Sequence, residues 1–522
     1  MSGETLAELL ERRAGDDRPG LLFEDQVWSW REYVAECRVR GARMDARGRA
    51  VHVGVLSDNV PEMLFLLGGA ALSGHVLVAL NPTRSAAELA RDADATHVDL
   101  IVHEPAYAEL AEEVAGLRAT PPPAERDTGD GLVMLIFTSG TSGRPRAVRV
   151  TQRKIAVPGV NLAAMLSPQD VVYCSMPLFH SGAVMAAYAP AVASGAALAI
   201  RRRFSASGLM ADVRRYGVTY LHYVGKALSY VLSTPPEPGD RDNTLRIAFG
   251  NEGSATAVRR FGERFGCHVI DAFGSTETAI AITPDPAGPS GCLGRLPDGV
   301  EIRDPAGGRR CPAAVIEDGR LLNGDEAIGE LVNTEGPGLF DGYYNDPEGD
   351  RERIREGVFW SGDLAYADSR GYVFFAGRGT ERLRVDGENL AVAPIEAVVR
   401  EFPGVVEAAV YPVPDAAAGD QVMAALVLEN GFDQAAFEGF LAGRRDVGPK
   451  AIPRYIRICK ELPQTASNKV VKRILAAEGW HTGDPVWWRP PGRRGWRPLT
   501  PDDITEIDDE FVRHGRPHPL ER

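Results

Sequence analysis

The most concentrated chemical signal in the chain is LIFTSGTSGRPRAV, residues 135–148, where a strand-like apolar run enters a loop of hydroxyls and glycines that ends in Arg144 and Arg146. Glycines let backbone N–H groups approach an anion. Thr138, Ser139, Thr141 and Ser142 can each donate a hydrogen bond, and the arginines offset charge, so the segment suits a polyphosphate. It is not a Walker A loop, because GxxxxGK[ST] is absent from the sequence. A Ser/Thr/Gly-rich turn also serves as a plain surface loop, so this segment does not decide alone. The other candidates are equally double-edged in isolation. Thr276-Glu277 can be a solvated helix start, Asp363 in SGD can cap a turn, and Lys469 in TASNK can be an idle, solvent-facing charge.

Their order along the chain carries more. TSGTSGRPR resembles the phosphate loop TSGTTGxPK of the adenylate-forming superfamily of acyl-CoA synthetases, adenylation domains and luciferases. MPLFH at 176–180 resembles that superfamily's segment beside the acyl pocket, and DAFGSTET at 271–278 its YGxTE motif. WSGDLAYAD at 360–368 and GYVFFAGRGTERLRVDGEN at 371–389 resemble the segments of the ribose-binding aspartate and the hinge arginine, and LPQTASNKVVKR at 462–473 the segment of the C-terminal catalytic lysine. Within the superfamily, YVGKALSYVL (223–232), FGNEGS (249–254), GELVNTEGPGLFDGYYND (329–346), RVDGENLAVAPIE (384–396) and the DPVWW tail are similar to the fatty-acid transport protein and very-long-chain acyl-CoA synthetase branch, especially its actinobacterial members.

The resemblance implies roles. Adenylation is attack by a weak oxyanion on the α-phosphorus with pyrophosphate leaving, so catalysis is chiefly positioning and charge neutralisation. The loop Thr138, Ser139, Gly140, Thr141, Ser142, Gly143 and Arg146 would hold the β- and γ-phosphates of ATP. Thr276 would bond the α-phosphate, and Glu277, with Thr138, would ligate Mg²⁺, a hard ion that takes carboxylate and phosphate oxygens. Phe273 would stack on adenine unless it is a core aromatic. The turn Gly250, Asn251, Glu252 with Asp271, Gly274 and Ser275 would edge the same pocket. Asp363 would accept the ribose hydroxyls. Arg378 would reach ribose or phosphate, the alternative being a surface ion pair. Lys469 would bridge the acyl oxygen and the α-phosphate, and only the resemblance picks it over Lys472. Tyr223, Gly225, Thr278 and His180 would line the substrate side, with a packing role the alternative for the histidine.

Four positions depart from the family pattern. Arg146 stands for the usual lysine, Ala147 for glycine, Gln152 for a downstream histidine, and Thr278 for the glycine that commonly follows the Thr-Glu pair in this branch. Thr278 would narrow a long-acyl channel or bond a polar substrate, and with Arg146 and Gln152 it favours a specialised one.

These groups need a scaffold. Apolar runs at VHVGVL (51), HVLVAL (75), DLIVH (99), LRIAFG (245) and HVIDAFG (268) alternate with amphipathic stretches, which predicts α/β layers with largely parallel strands. Residues 118–130 read as a Pro-rich linker or loop. The pattern starts afresh after Arg378, with EAAVYPVPD and QVMAALVLEN as strands and short helices between them; the Trp-, Pro- and Arg-rich tail from Asp484 reads as irregular structure packed on the smaller domain. The expectation is an α/β chain with a large multi-layered, mixed-sheet N-terminal domain over 1–377, a pivot at 378–380 (where Thr380 replaces the usual carboxylate or lysine) and a small mobile α+β domain over 381–522. At 522 residues several cores are required.

The net charge of −14 argues against a nucleic-acid partner, and the run Arg201 to Arg203 reads as a solvated face. Six scattered cysteines form no CxxC pair, which fits a reducing cytoplasm, and the N-terminus lacks the features of a signal peptide. Residues 182–200 carry no charge, yet Pro190 and Ser194-Gly195 break the run; 63–80 is interrupted at Ser73-Gly74-His75. Both read as a buried helix followed by a buried strand rather than a membrane span.

Three functions compete. The first activates a fatty or aryl carboxylic acid through an acyl-AMP and passes it to coenzyme A. In the second, an ATP-dependent diazotase of secondary metabolism, which resembles the same branch, nitrite replaces the carboxylate and an aromatic amine the thiol. The third is a nucleotide-binding scaffold without catalysis, against which Glu277 and Lys469 both speak. Oligomeric state is not legible.

Overall fold

The computed structural model describes residues 4–119, 131–138, 145–225, 227–253, 255–289, 291–317, 320–378, 382–385, 388–416, 419–444, 447–464, 470–491, 493 and 495–514; for some of these, Arg378 among them, only the backbone is described. The chain forms two compact units, residues 1–281 with 336–359, and residues 282–335 with 360–522.

In the first unit the alternating runs form two sheets. One has the order Leu100–His103, His52–Leu56, Val76–Ala79, Leu132–Thr138, Arg146–Thr151. Its first four strands are parallel and the last returns antiparallel. The two strands His52–Leu56 and Val76–Ala79 are buried at every position, as continuous apolar runs are in a parallel sheet covered on both faces. The other sheet has seven strands in the order His268–Asp271, Ile247–Asn251, Tyr220–Val224, Val171–Cys174, Ala197–Ile200, Pro19–Phe23, Gln26–Ser29, all parallel neighbours except the last pair.

Both uncharged stretches are helix then strand. Residues 182–200 make the helical segments Ser181–Ala183, Val184–Tyr188 (one π-helical turn) and Ala189–Ser194, closed by Gly195 at φ 77°, then the strand Ala197–Ile200. Residues 63–80 lie in the helix Pro61–Ser73 and the strand Val76–Ala79. Among the described residues no helix is long and apolar enough to cross a membrane. The arginine run is tied down by acids: Arg201 to Asp212, Arg202 to Glu104 and Arg203 to Asp58.

The second unit holds two larger sheets, beside the two-stranded pairs Ile316–Glu317 with Arg320–Leu321 and Arg382–Val385 with Glu388–Ala391. In one, Tyr372–Arg378 runs between Gly294–Arg295 and the long strand Val358–Ala367, which is followed by Gly329–Asn333 and Val300–Arg303. The other has the order Val405–Pro414, Asp420–Leu428, Tyr455–Ile458, Val486–Trp488, Arg497–Pro498. Its first two strands pair directly as an antiparallel hairpin, so no helix lies between them; the helix Val392–Arg400 precedes the sheet, and Gln434–Ala442 and Lys472–Glu478 fall between its later strands, before and after Tyr455–Ile458. Strand alternation divides the core in two. Ala408 and Val410 belong to one cluster with Val399 and Phe437, while Ala409, Tyr411 and Val413 belong to the other with Leu475 and Trp480.

The tail is more regular than its composition suggested. Val486–Trp488 and Arg497–Pro498 extend the sheet and Pro501–Arg513 is a helix whose N-cap Thr500 forms a capping box with Asp503. Trp487 packs on one core cluster and Trp488 lies in the other, so the paired tryptophans are the period-2 signature of a strand between two cores.

Candidate active site

Ligands of open α/β sheets collect at the carboxyl ends of the strands, and three adjacent strand ends of the seven-stranded sheet carry predicted residues. In register, Tyr223 faces Gly250, Val224 faces Asn251 and Gly250 faces Asp271. A side chain at Gly250 would meet the carbonyl oxygen of Tyr223 at 2.1 Å and its ring at 2.7 Å, so only glycine lets the tyrosine lie across it. The buried Tyr223 hydroxyl donates to Oδ1 of Asp271 at 2.9 Å, and the Gly253 N–H donates to the same oxygen at 2.9 Å. Burial pushes Asp271 up to about 6 against those two donors. Asn251 Nδ2 donates to the Ala272 carbonyl at 2.6 Å, the Gly225 N–H to the Asn251 carbonyl at 2.7 Å, and Glu252 is exposed at φ 64°. These bonds brace the chain leading to Phe273, which is half-buried, and to Gly274, which is exposed.

The next turn presents Ser275 to Thr278. The Thr278 N–H donates to the Ser275 carbonyl at 3.1 Å, and Thr278 itself sits at φ 58°. That left-handed backbone explains why glycine is the usual residue here: a β-branched side chain is strained in it. The Thr278 hydroxyl donates to the Thr276 carbonyl at 3.1 Å and lies 3.8 Å from the Met185 sulfur, in the π-helical turn. Thr276 Oγ1 and Ser181 Oγ are 2.8 Å apart, which ties this turn to the residue after His180. The His180 ring lies tilted by 55° against that of Phe179, with 4.7 Å between centroids.

The phosphate-loop segment is the connection of an antiparallel hairpin. Thr138 pairs with Arg146 at its mouth, while Ser139, Gly140, Thr141, Ser142 and Gly143 lie outside the described residues. Arg146 is buried and engages two carboxylates, Nε to Asp346 Oδ2 at 3.1 Å and Nη2 to Glu352 Oε2 at 2.7 Å. The segment Gly342 to Tyr344 runs along the same strand: the Arg149 N–H donates to the Gly342 carbonyl at 3.0 Å and the Tyr344 N–H to the Ala147 carbonyl at 2.7 Å, with Tyr343 bridged to Val148. That strand-like addition places the Tyr343 ring 5.3 Å from the Arg146 guanidinium carbon.

The Tyr343 hydroxyl donates to Oε1 of Glu277 at 2.9 Å and accepts from Arg353 Nε at 3.3 Å. Glu277 is buried. Burial acts to raise its carboxyl, but Arg353, its own backbone N–H, Tyr343 and Lys154 outweigh that and hold it below the ordinary range, so it is ionised at neutral pH. Lys154 is fully buried, its Nζ 5.5 Å from the Phe340 ring and donating to the Arg149 carbonyl at 3.3 Å. Burial lowers it to about 8, against the pull of Glu277 and Asp341.

Among the described residues no cluster of three or more His, Cys, Asp or Glu side chains could hold a metal alone. Mg²⁺ bound through one carboxylate and substrate phosphates needs no such cage, and the buried, ionised, hydrogen-bonded Glu277 fits that donor set. Sequence reasoning missed Tyr343, Arg353, Lys154 and Ser181. Tyr343 was within reach, since its GYYND segment stood out as a branch marker. Gln152, taken as a sign of special chemistry, instead fastens the N-terminal helix: its Oε1 accepts the Ala7 N–H at 2.8 Å and its Nε2 donates to the Ala71 carbonyl at 2.9 Å.

In the second unit Asp363 is buried and faces Arg378 in register across the hairpin. Its turn is fixed by the Ser361 hydroxyl, which donates to the Leu331 carbonyl at 2.7 Å and accepts the Asp363 N–H at 3.0 Å, and by Glu330, which accepts the Gly362 N–H at 2.5 Å. The Arg378 side chain, residues 379 and 380, and Lys469 lie outside the described residues. Lys472 is described, and its Nζ lies 2.8 Å from Glu396 Oε2.

A family model for AMP-binding enzymes matches residues 10–344, and one for the AMP-binding enzyme C-terminal domain matches residues 394–469. The chain belongs to the AMP-binding enzyme family. Within this family it is 46% identical over 504 residues to the medium/long-chain-fatty-acid CoA ligase FadD17 of Mycobacterium marinum, covering 92% of this chain and 98% of that one. It is 42% identical over 549 residues to the steroid-22-oyl-CoA synthetase of Rhodococcus jostii, covering 98% of each. Its fold is that of ATP-bound MatB from Rhodopseudomonas palustris, with a TM-score of 0.78 at 23% identity over 91% of this chain and 98% of that one. The AMP-binding architecture of a large N-terminal and a small C-terminal domain is therefore present. These relatives give the diazotase alternative no support.

Proposed function

We propose that this protein is an ATP-dependent, AMP-forming ligase that converts an apolar carboxylic acid, of the medium- to long-chain or steroid side-chain class, into its coenzyme A thioester. The observation that carries this reading is near-full-length similarity to a fatty-acid CoA ligase and a steroid-22-oyl-CoA synthetase, at 46% and 42% identity. Two departures that had pointed to an unusual substrate have internal explanations: the Thr278 hydroxyl is satisfied by the Thr276 carbonyl, and Gln152 holds the N-terminal helix. Neither group needs a polar substrate.

In this reading the loop Thr138 to Gly143 holds the β- and γ-phosphates, with Arg146 bracing its base through Asp346 and Glu352. Thr276, steadied by Ser181, bonds the α-phosphate. Glu277, with Thr138, holds Mg²⁺, which when bound neutralises phosphate charge. Phe273 stacks on adenine beside Gly250, Asn251, Glu252, Asp271, Gly274 and Ser275, while Asp363 takes the ribose and Arg378 the ribose or a phosphate. His180, Tyr223, Gly225 and Thr278 border the acid, Tyr223 acting through Asp271. Lys469 bridges the carboxylate and the α-phosphate as the carboxylate oxygen attacks phosphorus and pyrophosphate leaves. The small domain then turns about 378–380, and the thiol of coenzyme A attacks the acyl carbon, releasing AMP. All six cysteines are free thiols, which supports a cytoplasmic setting.

The test is AMP formation with octanoate, palmitate and a steroid side-chain acid, each with and without coenzyme A, beside nitrite with an aminobenzoic acid. The expected result is AMP and thioester in equal amounts from at least one apolar acid. AMP formation that requires nitrite and the aryl amine, and not coenzyme A, would overturn the reading.

A further inference from the structure

Glu277 and Arg146 lie on different elements, yet one side chain touches both. Tyr343 donates its hydroxyl to Glu277 Oε1 at 2.9 Å while its ring carries the Arg146 guanidinium at 5.3 Å. It is itself immobilised from several sides. Its N–H donates to Asp350 Oδ1 at 2.7 Å, its ring packs edge-on to Phe340 at 5.0 Å, and its hydroxyl accepts from Arg353 at 3.3 Å. Gly342 next to it, at φ 87°, leaves space that a Cβ would take from the Asp350 carboxylate, 2.9 Å away. So much fixation is more than a packing tyrosine requires, and its hydroxyl fixes one oxygen of the carboxylate that fits the metal.

We infer that Tyr343 is a positioning residue for the metal carboxylate: it sets the orientation of Glu277 through the hydroxyl and registers that carboxylate against the base of the phosphate loop through Arg146. The inference rests on the proposed role of Glu277 as the Mg²⁺ ligand. Groups that orient a ligating carboxylate by hydrogen bonding typically change metal affinity by about 10- to 100-fold when removed. Tyr343→Phe keeps the ring under Arg146 and deletes only the bond to Glu277. Tyr343→Leu deletes both.

The experiment measures ATP binding by titration calorimetry, at a series of Mg²⁺ concentrations and with chelator, for the wild type, Tyr343→Phe, Tyr343→Leu and Glu277→Gln, with thermal melting of each. The expected result is a half-saturating Mg²⁺ concentration raised about 10-fold or more in Tyr343→Phe, with metal-free ATP affinity unchanged, the melting temperature lowered only by the loss of one buried hydrogen bond, and pyrophosphate release restored at saturating Mg²⁺. Tyr343→Leu should in addition weaken metal-free ATP binding, because the base of the loop loses its support. Wild-type Mg²⁺ dependence in Tyr343→Phe, or a loss of metal-free affinity in step with melting, would overturn the inference. Glu277→Gln separates the two layers. If it shifts the Mg²⁺ dependence and Tyr343→Phe does not, the positioning role falls alone; if neither shifts it, the role of Glu277 falls as well.

Discussion

Lys472 Nζ lies 2.8 Å from Glu396 Oε2, and Arg400 engages the other oxygen of the same buried carboxylate. The Val410 N–H completes the set at 3.0 Å. Lys472 is therefore held in a buried ion pair, and Lys469 is the lysine proposed to reach the α-phosphate. Lys472→Met should destabilise the small domain by roughly 2–4 kcal/mol, since it leaves a buried carboxylate short of a partner, while pyrophosphate release per folded molecule persists. Lys469→Ala should do the reverse: melting unchanged, pyrophosphate release abolished, ATP binding kept. Melting curves and a pyrophosphate assay on the two variants check this.

The same pair sets an acid limit. Burial acts to raise Glu396, but Arg400, Lys472 and the Val410 N–H overcome it and bring it to about 2. A carboxyl whose folded value is depressed contributes stability that is present above its unfolded value, about 4.5, and is lost as pH falls from there through about 2. Stability measured by denaturant unfolding should drop over that window. In Glu396→Gln it should start lower and lose less.

Thr278 at φ 58° should behave as a strained site. Thr278→Gly should raise stability by about 1 kcal/mol, the cost of a left-handed β-branched residue exceeding the lost hydroxyl bond. The wider wall beside Met185 should shift selectivity toward bulkier acids. Unfolding curves and kcat/KM across an acid series measure both.

Lys154 carries a burial cost that outweighs its attraction to Glu277 and Asp341, leaving it at about 8. Below that value both the folded and unfolded forms are protonated and the cost is constant. Between about 8 and the ordinary 10.5 the unfolded chain holds the proton and the folded one does not, so stability should rise with pH through this window. Lys154→Met should melt higher at pH 7 and lose that rise.

The sequence disclosed what is local. Runs such as VHVGVL and HVLVAL gave strands because burial on both faces needs no alternation, and the departure at Thr278 marked a real backbone constraint. What escaped is held by distance along the chain. Glu277 and Tyr343 are 66 positions apart and Arg146 and Glu352 206 apart, so no spacing rule could join them. Gln152 misled because its partners, Ala7 and Ala71, are equally remote. The tail misled by composition: its Pro and Arg content hid Trp487 and Trp488, whose opposite faces fill two cores.

In the proposed reaction a carboxylate oxygen attacks the α-phosphorus of ATP and leaves with AMP once coenzyme A takes the acyl group. Running the reaction with an apolar acid labelled with ¹⁸O in its carboxylate and weighing the nucleotide and pyrophosphate by mass spectrometry tests this directly. One ¹⁸O per AMP, none in pyrophosphate, and thioester in equal amount are expected; label in pyrophosphate or phosphate, or thioester formed with unlabelled AMP, would rule out attack at the α-phosphorus.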